Sequence, residues 1–222
     1  MFMTKLEHSC VRIQHRGGTL VIDPGIFNDR GALDGADAVL ITHQHDDHLD
    51  AALLRAAAEA APELEIWGPP SVAALLADLG ARVRVARPGE QFEAAGIDVR
   101  VLGDLHAQVH ASIPQIENNG YLLAGSLFHP GDSLTIPDEP VANLLLPAAA
   151  PWVKAGELGD YVRAVAPQHS YLIHDALLSP VGIALYHRVL SGLAGAPDQR
   201  TLQVQEPGTG VELVSAAGEA IS

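Results

Sequence analysis

This chain is short of cysteine, of aromatic residues and of positive charge. A single cysteine, Cys10, in 222 residues rules out an intrachain disulfide and a thiolate zinc cluster, so a metal would have to rely on nitrogen and oxygen ligands. Aromatic residues make up 5% of a chain that is 48% hydrophobic, so its core must be built mostly from Ala, Val, Leu and Ile. Lys and Arg together number 13 against 27 Asp and Glu, a formal charge of −14. Binding along a phosphate backbone needs Lys and Arg to replace counterions, so nucleic acid is not expected as a partner. A locally positive centre could still admit a small anion. No stretch reaches membrane-spanning length without a charge or a proline, and Met1 to His8 contains no apolar core of signal-peptide length. The expectation is a cytoplasmic protein with no membrane partner. A Gly-x-Ser-x-Gly motif is also missing, which weakens a serine α/β-hydrolase reading.

Against this background one segment stands out. Thr42-His43-Gln44-His45-Asp46-Asp47-His48 places three imidazoles and a carboxylate in His-x-His-x-Asp-His spacing, directly after the apolar run Ala36 to Ile41. Imidazole and carboxylate are the usual non-thiolate ligands of catalytic divalent metals. A strand over Ala36 to Ile41 would hold the loop, and the Asp46-Asp47 pair reads as the cap of a helix over Leu49 to Ala60. In extended chain His43 and His45 point the same way, while the turn into the helix aims Asp47 and His48 elsewhere. Two ligand pairs suggest two metals. A polar loop capping a helix would leave the common spacing of these four residues unexplained.

The rest of the chain alternates short strands and helices. Thr4 to Glu7, Val11 to His15 and Thr19 to Ile22 read as an antiparallel meander turned at Gly17-Gly18. Leu64 to Trp67 and Arg82 to Val85 read as strands around a helix from Pro69 to Leu79 that Gly80 stops. Gln91 to Ala94 and Ile97 to Leu102 return to strand, and Gly120 to Ala124 with Leu127 to His129 form a hairpin. Asn143 to Leu146 and His169 to Ile173 are strands, Ala155 to Ala166 and Val181 to Leu193 helices, and Thr201 to Val214 holds two short strands around Pro207-Gly208. No linker, charge run or repeat divides the chain, which reads as one domain over residues 1–222.

The His-x-His-x-Asp-His segment resembles the signature of the metallo-β-lactamase superfamily, and other segments follow in that superfamily's order. Leu20-Val21-Ile22-Asp23-Pro24 resembles its early strand ending in Asp. Phe128-His129-Pro130-Gly131-Asp132-Ser133 resembles its Gly-Asp turn, and Leu172-Ile173-His174 its last ligand at a strand end. Glu7-His8-Ser9-Cys10 is similar to the small single-domain hydrolases of the branch that includes ascorbate-phosphate lactonases. The resemblance implies an α/β fold, a four-layer αββα sandwich, with a dinuclear centre. His43, His45 and His106 would hold one metal, Asp47, His48 and His174 the other, and Asp132 would be shared, making Asp47 and Asp132 the catalytic carboxylates. His110, four residues after His106, is the rival for its position. Asp23 and Asp175 are candidates for orienting ligands from behind, and His8, His129 and Trp152 for lining or supporting the site. His15, His169 and His187 receive no role.

Two divalent ions, zinc by preference and manganese or iron as alternatives, would activate a hydroxide against a small ester. The lactonase-like branch favours a lactone, with a phosphodiester as the alternative substrate. Two other classes stand against this. The oxygen-reducing di-iron relatives typically carry Glu where this chain has His45. A non-catalytic metal-binding protein would be signalled by substituted ligands, and the inferred set is intact.

Overall fold

The structure, a computed structural model, describes residues 1–193, 201–215 and 217–221. The first half opens with strands β1 (Phe2–Lys5), β2 (Val11–His15) and β3 (Gly18–Ile22), paired antiparallel. It then becomes a parallel α/β unit: β4 (Ala38–Leu40), helix α1 (Ala51–Ala60), β5 (Glu65–Gly68), helix α2 (Pro70–Leu75) and β6 (Val83–Val85). The second half repeats the plan. Strands β7 (Gln91–Ala94), β8 (Ile97–Leu102), β9 (Gly120–Leu123) and β10 (Leu127–His129) are antiparallel. β11 (Asn143–Pro147), helix α3 (Ala155–Val165), β12 (His169–Ile173), helix α4 (Pro180–Leu193) and β13 (Thr201–Gln203) continue in parallel. The chain then crosses back, and β14 (Gly210–Glu212) pairs with β1. The two sheets run β14-β1-β2-β3-β4-β5-β6 and β13-β12-β11-β10-β9-β8-β7.

Strand alternation divides the apolar residues between three layers of core. Leu20, Ile22 and Leu40 face the space between the sheets and meet Val99, Val101, Tyr121 and Tyr171 from the other side. Their neighbours Val21 and Val39 turn outward to Leu53 and Leu54 of α1. On the far face Leu144, Leu146 and Leu172 pack against Leu158, Tyr161 and Val162 of α3 and Leu190 of α4. This is the expected four-layer α/β sandwich of two mixed sheets between helices. Strands buried on both faces have near-continuous apolar runs, which is why β4 and β11 were readable.

Several boundaries differ from the sequence expectation. The cap of α1 is Asp50 and not the Asp46-Asp47 pair: its Oδ1 accepts from the amides of Ala52 (2.9 Å) and Leu53 (3.0 Å). The amides of His48 and Leu49 are already committed to the carbonyl of His45, which closes the ligand loop one turn before the helix begins. α2 stops at Leu75, and a 3-10 turn over Ala77–Arg82 contains Gly80 at φ +63° and ψ −135°, a conformation no helix continues through. β1 ends at Lys5, two residues early, because Leu6 to Cys10 form a closed turn (Leu6 N to Cys10 O, 2.9 Å).

Candidate metal centre

The ligand loop leaves β4 at the edge of the central core and is strapped down by Asp23, which follows β3. Asp23 accepts from the amide of Thr42 (2.7 Å), from the Thr42 hydroxyl (2.6 Å) and from His48 Nδ1 (2.6 Å). Gly25 lies beneath the loop so closely that a Cβ there would strike the backbone of Asp47. Loops after β8, β10 and β12 bring in one donor each: His106, Asp132 and His174. The first loop and the later ones also bond directly, through Asn119 N to Thr42 O (2.8 Å) and the Tyr121 hydroxyl to Ile41 O (2.8 Å).

Among the described residues three groups of donor atoms result, each within 4.8 Å: His43, His45 and His106; His43, His48 and Asp132; and His8, Asp47, His48 and His174. Ring tautomers follow from the partners of the far nitrogens. Thr42 Oγ1, whose proton goes to Asp23, accepts from His43 Nδ1 (2.9 Å). His48 Nδ1 donates to Asp23, His106 Nδ1 to the carbonyl of Ala107 (2.6 Å) and His174 Nδ1 to the carbonyl of Ala149 (2.7 Å). All four rings therefore carry the proton on Nδ1 and present Nε2 to the centre, the arrangement that orients a ligating imidazole. His45 presents Nδ1, 3.1 Å from His43 Nε2.

The donors fit a metal on a second count. His48 Nε2, His174 Nε2 and Asp132 Oδ1 are buried and make no hydrogen bond of good geometry, although His48 Nε2 lies 3.2 Å from that oxygen and His174 Nε2 lies 3.2 Å from Asp132 Oδ2 and 3.4 Å from Asp47 Oδ2. Buried polar atoms without such a bond are rare. Three of them converging with imidazole and carboxylate chemistry form a donor set for a cation.

The electrostatics of the site's own side chains agree. Burial pushes His48 down, but the Asp132 and Asp23 carboxylates outweigh it and hold its pKa well above the ordinary value. The same contest, with Asp132 and Asp47 opposing burial, puts His174 at about 9. Burial raises Asp132 and Asp47, yet the surrounding imidazoles hold both well below the usual carboxylate range. Burial, then His48, keeps His43 well below its ordinary value and so neutral. Protons on His48 and His174 balance charge that a divalent ion would balance instead.

A family model described as a beta-lactamase superfamily domain matches residues 3–174. The chain belongs to the metallo-β-lactamase superfamily. Protein Rv0786c of Mycobacterium tuberculosis is 40% identical over 193 residues, covering 84% of this chain and 90% of that protein. Among solved structures, Igni18, a metallo hydrolase from the archaeon Ignicoccus hospitalis, superposes with a TM-score of 0.71 at 19% identity over 95% of this chain and 97% of its own. An isothiocyanate hydrolase from Delia radicum gut bacteria gives 0.67 at 17%, over 95% and 98%. At these identities the two structures speak for the shared fold.

The superfamily's expected donors are thus brought together, and the rival His110 is not among them: it is exposed and bonded to Ser112 Oγ (2.8 Å), while His106 is buried. His129 is buried behind the site, facing the Ser9 carbonyl (3.1 Å) and accepting from Gly131 N. Asp175 does not orient a ligand through its side chain; its carboxylate pairs with the buried ammonium of Lys5 at 3.0 Å, because the turn after His174 points it toward β1. His169 and His187 bond Thr201 and Leu202, away from the centre.

His8 does more than approach the site. Its Nδ1 accepts from Ala176 N (3.3 Å), which leaves Nε2 to donate to Asp47 Oδ2 (3.1 Å), and its carbonyl accepts from His174 N (3.1 Å). It thereby ties the first ligand loop to the last. His8, Asp23 and His174 all sit at positive φ (58°, 52° and 55°), backbone strain of about 1–3 kcal/mol each that the surrounding bonds must offset. Asn118 was missed in the sequence. It is fully buried, accepts from Asp132 N (3.0 Å) and donates to Pro130 O (2.9 Å), clamping the Gly-Asp turn. Its only signal was an Asn-Asn pair before a strand, which reads equally as a turn. Trp152 Nε1 donates to Asp132 Oδ2 at 2.9 Å. Over the centre opens a cavity of about 320 Å3 lined by His45, Asp47, His106, Asp132, Trp152 and His174.

Proposed function

We propose that this chain is a metal-dependent hydrolase that uses two divalent ions, zinc by preference, to cleave a small ester, a lactone being the favoured substrate. The observation that carries the reading is the convergence of donor atoms from four loops with three buried polar atoms that make no hydrogen bond of good geometry. Membership of the superfamily supports it, as does the description of its structural neighbour Igni18 as a metallo hydrolase. When bound, such ions lower the pKa of a coordinated water and polarise a scissile oxygen.

The protein's own groups would divide the work. His43, His45 and His106 hold one side, Asp47, His48 and His174 the other, and Asp132 lies between them. Its side chain is 5% exposed, so water competes little for it. Asp47 lines the cavity with a side chain 24% exposed and orients the attacking water by accepting its proton in a hydrogen bond. His8 and Asp23 keep Asp47 and His48 in place while charge builds on the leaving oxygen.

The test is metal content of the purified protein together with turnover of a lactone and phosphodiester panel, wild type against Asp132→Ala. Two metals per chain, lactone turnover and a collapse of both in the variant are expected, with a loss larger than the roughly 10–100-fold typical of outer contacts. Preference for the phosphodiesters would move the substrate to that class. Absence of bound metal with unaffected activity would overturn the reading.

A further inference from the structure

The cavity over the centre has a polar floor and an apolar rim. The rim is formed by Ile26 and Phe27 from the segment after β3, Val109 from the loop after β8, Trp152 before α3 and Leu177 before α4. Four of these are large apolar side chains left exposed: Leu177 at 62%, Ile26 at 52%, Phe27 at 40% and Val109 at 38%. Single exposed apolar residues are ordinary, but a group gathered from separate loops around one opening marks a surface that something apolar covers. Two members are held in place from below, Phe27 against the His8 ring (4.8 Å between centroids) and Trp152 by its bond to Asp132. No Lys or Arg is among the residues lining the cavity, and the charged group on the rim is the exposed carboxylate of Asp46.

We propose that the substrate is an ester or lactone with no charged group beyond the reacting bond, carrying an apolar acyl or alkyl arm that the rim receives. The proposal rests on the hydrolase reading of the same site and narrows it. A phosphorylated or carboxylated arm would leave the metals behind and meet a wall without a cation and with Asp46, so charge selects against it. The reaction balances with water alone. The acyl carbon–oxygen bond breaks as the bond to the water oxygen forms, one water proton goes to the leaving alkoxide and the other to solvent as the acid ionises.

Two series test this on the metal-loaded protein: 4-nitrophenyl esters and γ-lactones from acetyl-sized to octanoyl-sized arms, and binding of alkyl hydroxamates over the same lengths by calorimetry. kcat/KM and hydroxamate affinity should each rise roughly two- to fourfold per methylene until the rim is filled. A lactone with a terminal phosphate should be at least about tenfold worse than its neutral counterpart. Val109→Ser with Leu177→Ser, both on the surface, should flatten both slopes, and Leu177→Lys should narrow the discrimination against the anionic arm. Hydroxamate affinity that rises with length while no ester is turned over would sustain the apolar rim and sink the ester reading. Ester turnover with flat slopes in both series, or preference for the phosphorylated arm, would overturn the proposal and leave the hydrolase standing. A flat response from a protein that sediments as a dimer would also overturn it, by assigning the rim to a second copy.

Discussion

The first half of the molecule supplies four of the proposed ligands from one loop, and the second half supplies three from three loops. His43, His45, Asp47 and His48 share one stretch of chain, which Asp23 holds through Thr42 and His48 and His8 holds through Asp47. His106, Asp132 and His174 each need a separate clamp: the Ala107 carbonyl, Asn118 with Trp152, and the Ala149 carbonyl with His8. The two halves have the same antiparallel-then-parallel plan, so the difference lies in the loops and not in the sheets. A compact loop can pre-form its site as soon as its strand is placed. The dispersed donors meet only when the whole sandwich has closed.

The strongest way to break this comparison is at the point where both sets touch. Gly131 has φ +62°, and a Cβ there would strike Asn118 Oδ1 and come within 2.8 Å of Thr42 Cβ. Gly131→Ala therefore combines left-handed strain with overpacking and is expected to cost about 2–4 kcal/mol. Denaturant unfolding of the chelated variant checks this without interference from bound metal. An unchanged midpoint would show that the turn can relax and that the two donor sets are less tightly coupled than their packing implies.

The same contrast explains what could be read from sequence. The four-donor loop announces itself by spacing, and β4, β8, β10 and β12 by their apolar pattern, whereas His106, Asp132 and His174 were marked as donors by the resemblance to the superfamily and by no periodicity. Lys5, Asn118 and the path of Asp175 were not legible. Lys5 lies in a short strand whose alternation says only that it faces inward, and its carboxylate partner is 170 residues away. Asn118 acts through both ends of its amide on a turn fourteen residues later. Such contacts are made by the fold between residues whose local sequence would suit a turn or a surface, and no periodicity marks them.

A narrower break separates the halves. Asp23→Asn removes one of the charged oxygens that hold Thr42 and His48, with His43 affected through Thr42. Metal affinity should fall roughly 10–100-fold, the usual effect of losing a partner behind a ligand. Competition with a chromophoric chelator measures it. With the two ions proposed above, equal loss at both would show that the compact loop governs the whole centre; loss confined to one would show that the dispersed donors stand on their own.

Protons sharpen the comparison further. His174 of the dispersed set titrates at about 9 and His48 of the compact loop is also raised. A raised pKa stabilises the stripped protein below the unfolded value of about 6.5, and that contribution is lost as pH rises through about 9. The low values of Asp132 and Asp47 act in the other direction, adding stability above about pH 4 that is lost on acidification. Metal must displace the ring protons, so its affinity should climb with pH through about 9. Melting curves at neutral and alkaline pH should show the stripped protein losing stability and the loaded protein keeping it. A stripped protein indifferent to alkali would contradict the assigned protonation.

The smallest expected effect isolates one clamp of the dispersed set. Trp152 donates one bond to Asp132 and sets its indole edge-on to the His106 ring, 6.0 Å between centroids. Trp152→Phe keeps most of the apolar wall and removes the N–H, so metal retention should weaken by roughly two- to tenfold, the net worth of one hydrogen bond. A charged acceptor places the effect toward the upper end. Asn118 still fixes the backbone of Asp132 in this variant, which is why the effect should stay far below that of Asp132→Ala. If the two variants lose metal equally, the carboxylate depends on the indole for its orientation and each dispersed donor stands on a single contact. A near-silent Trp152→Phe would instead place that control in the Asn118 clamp, and would make the second half of the site as self-supporting as the first.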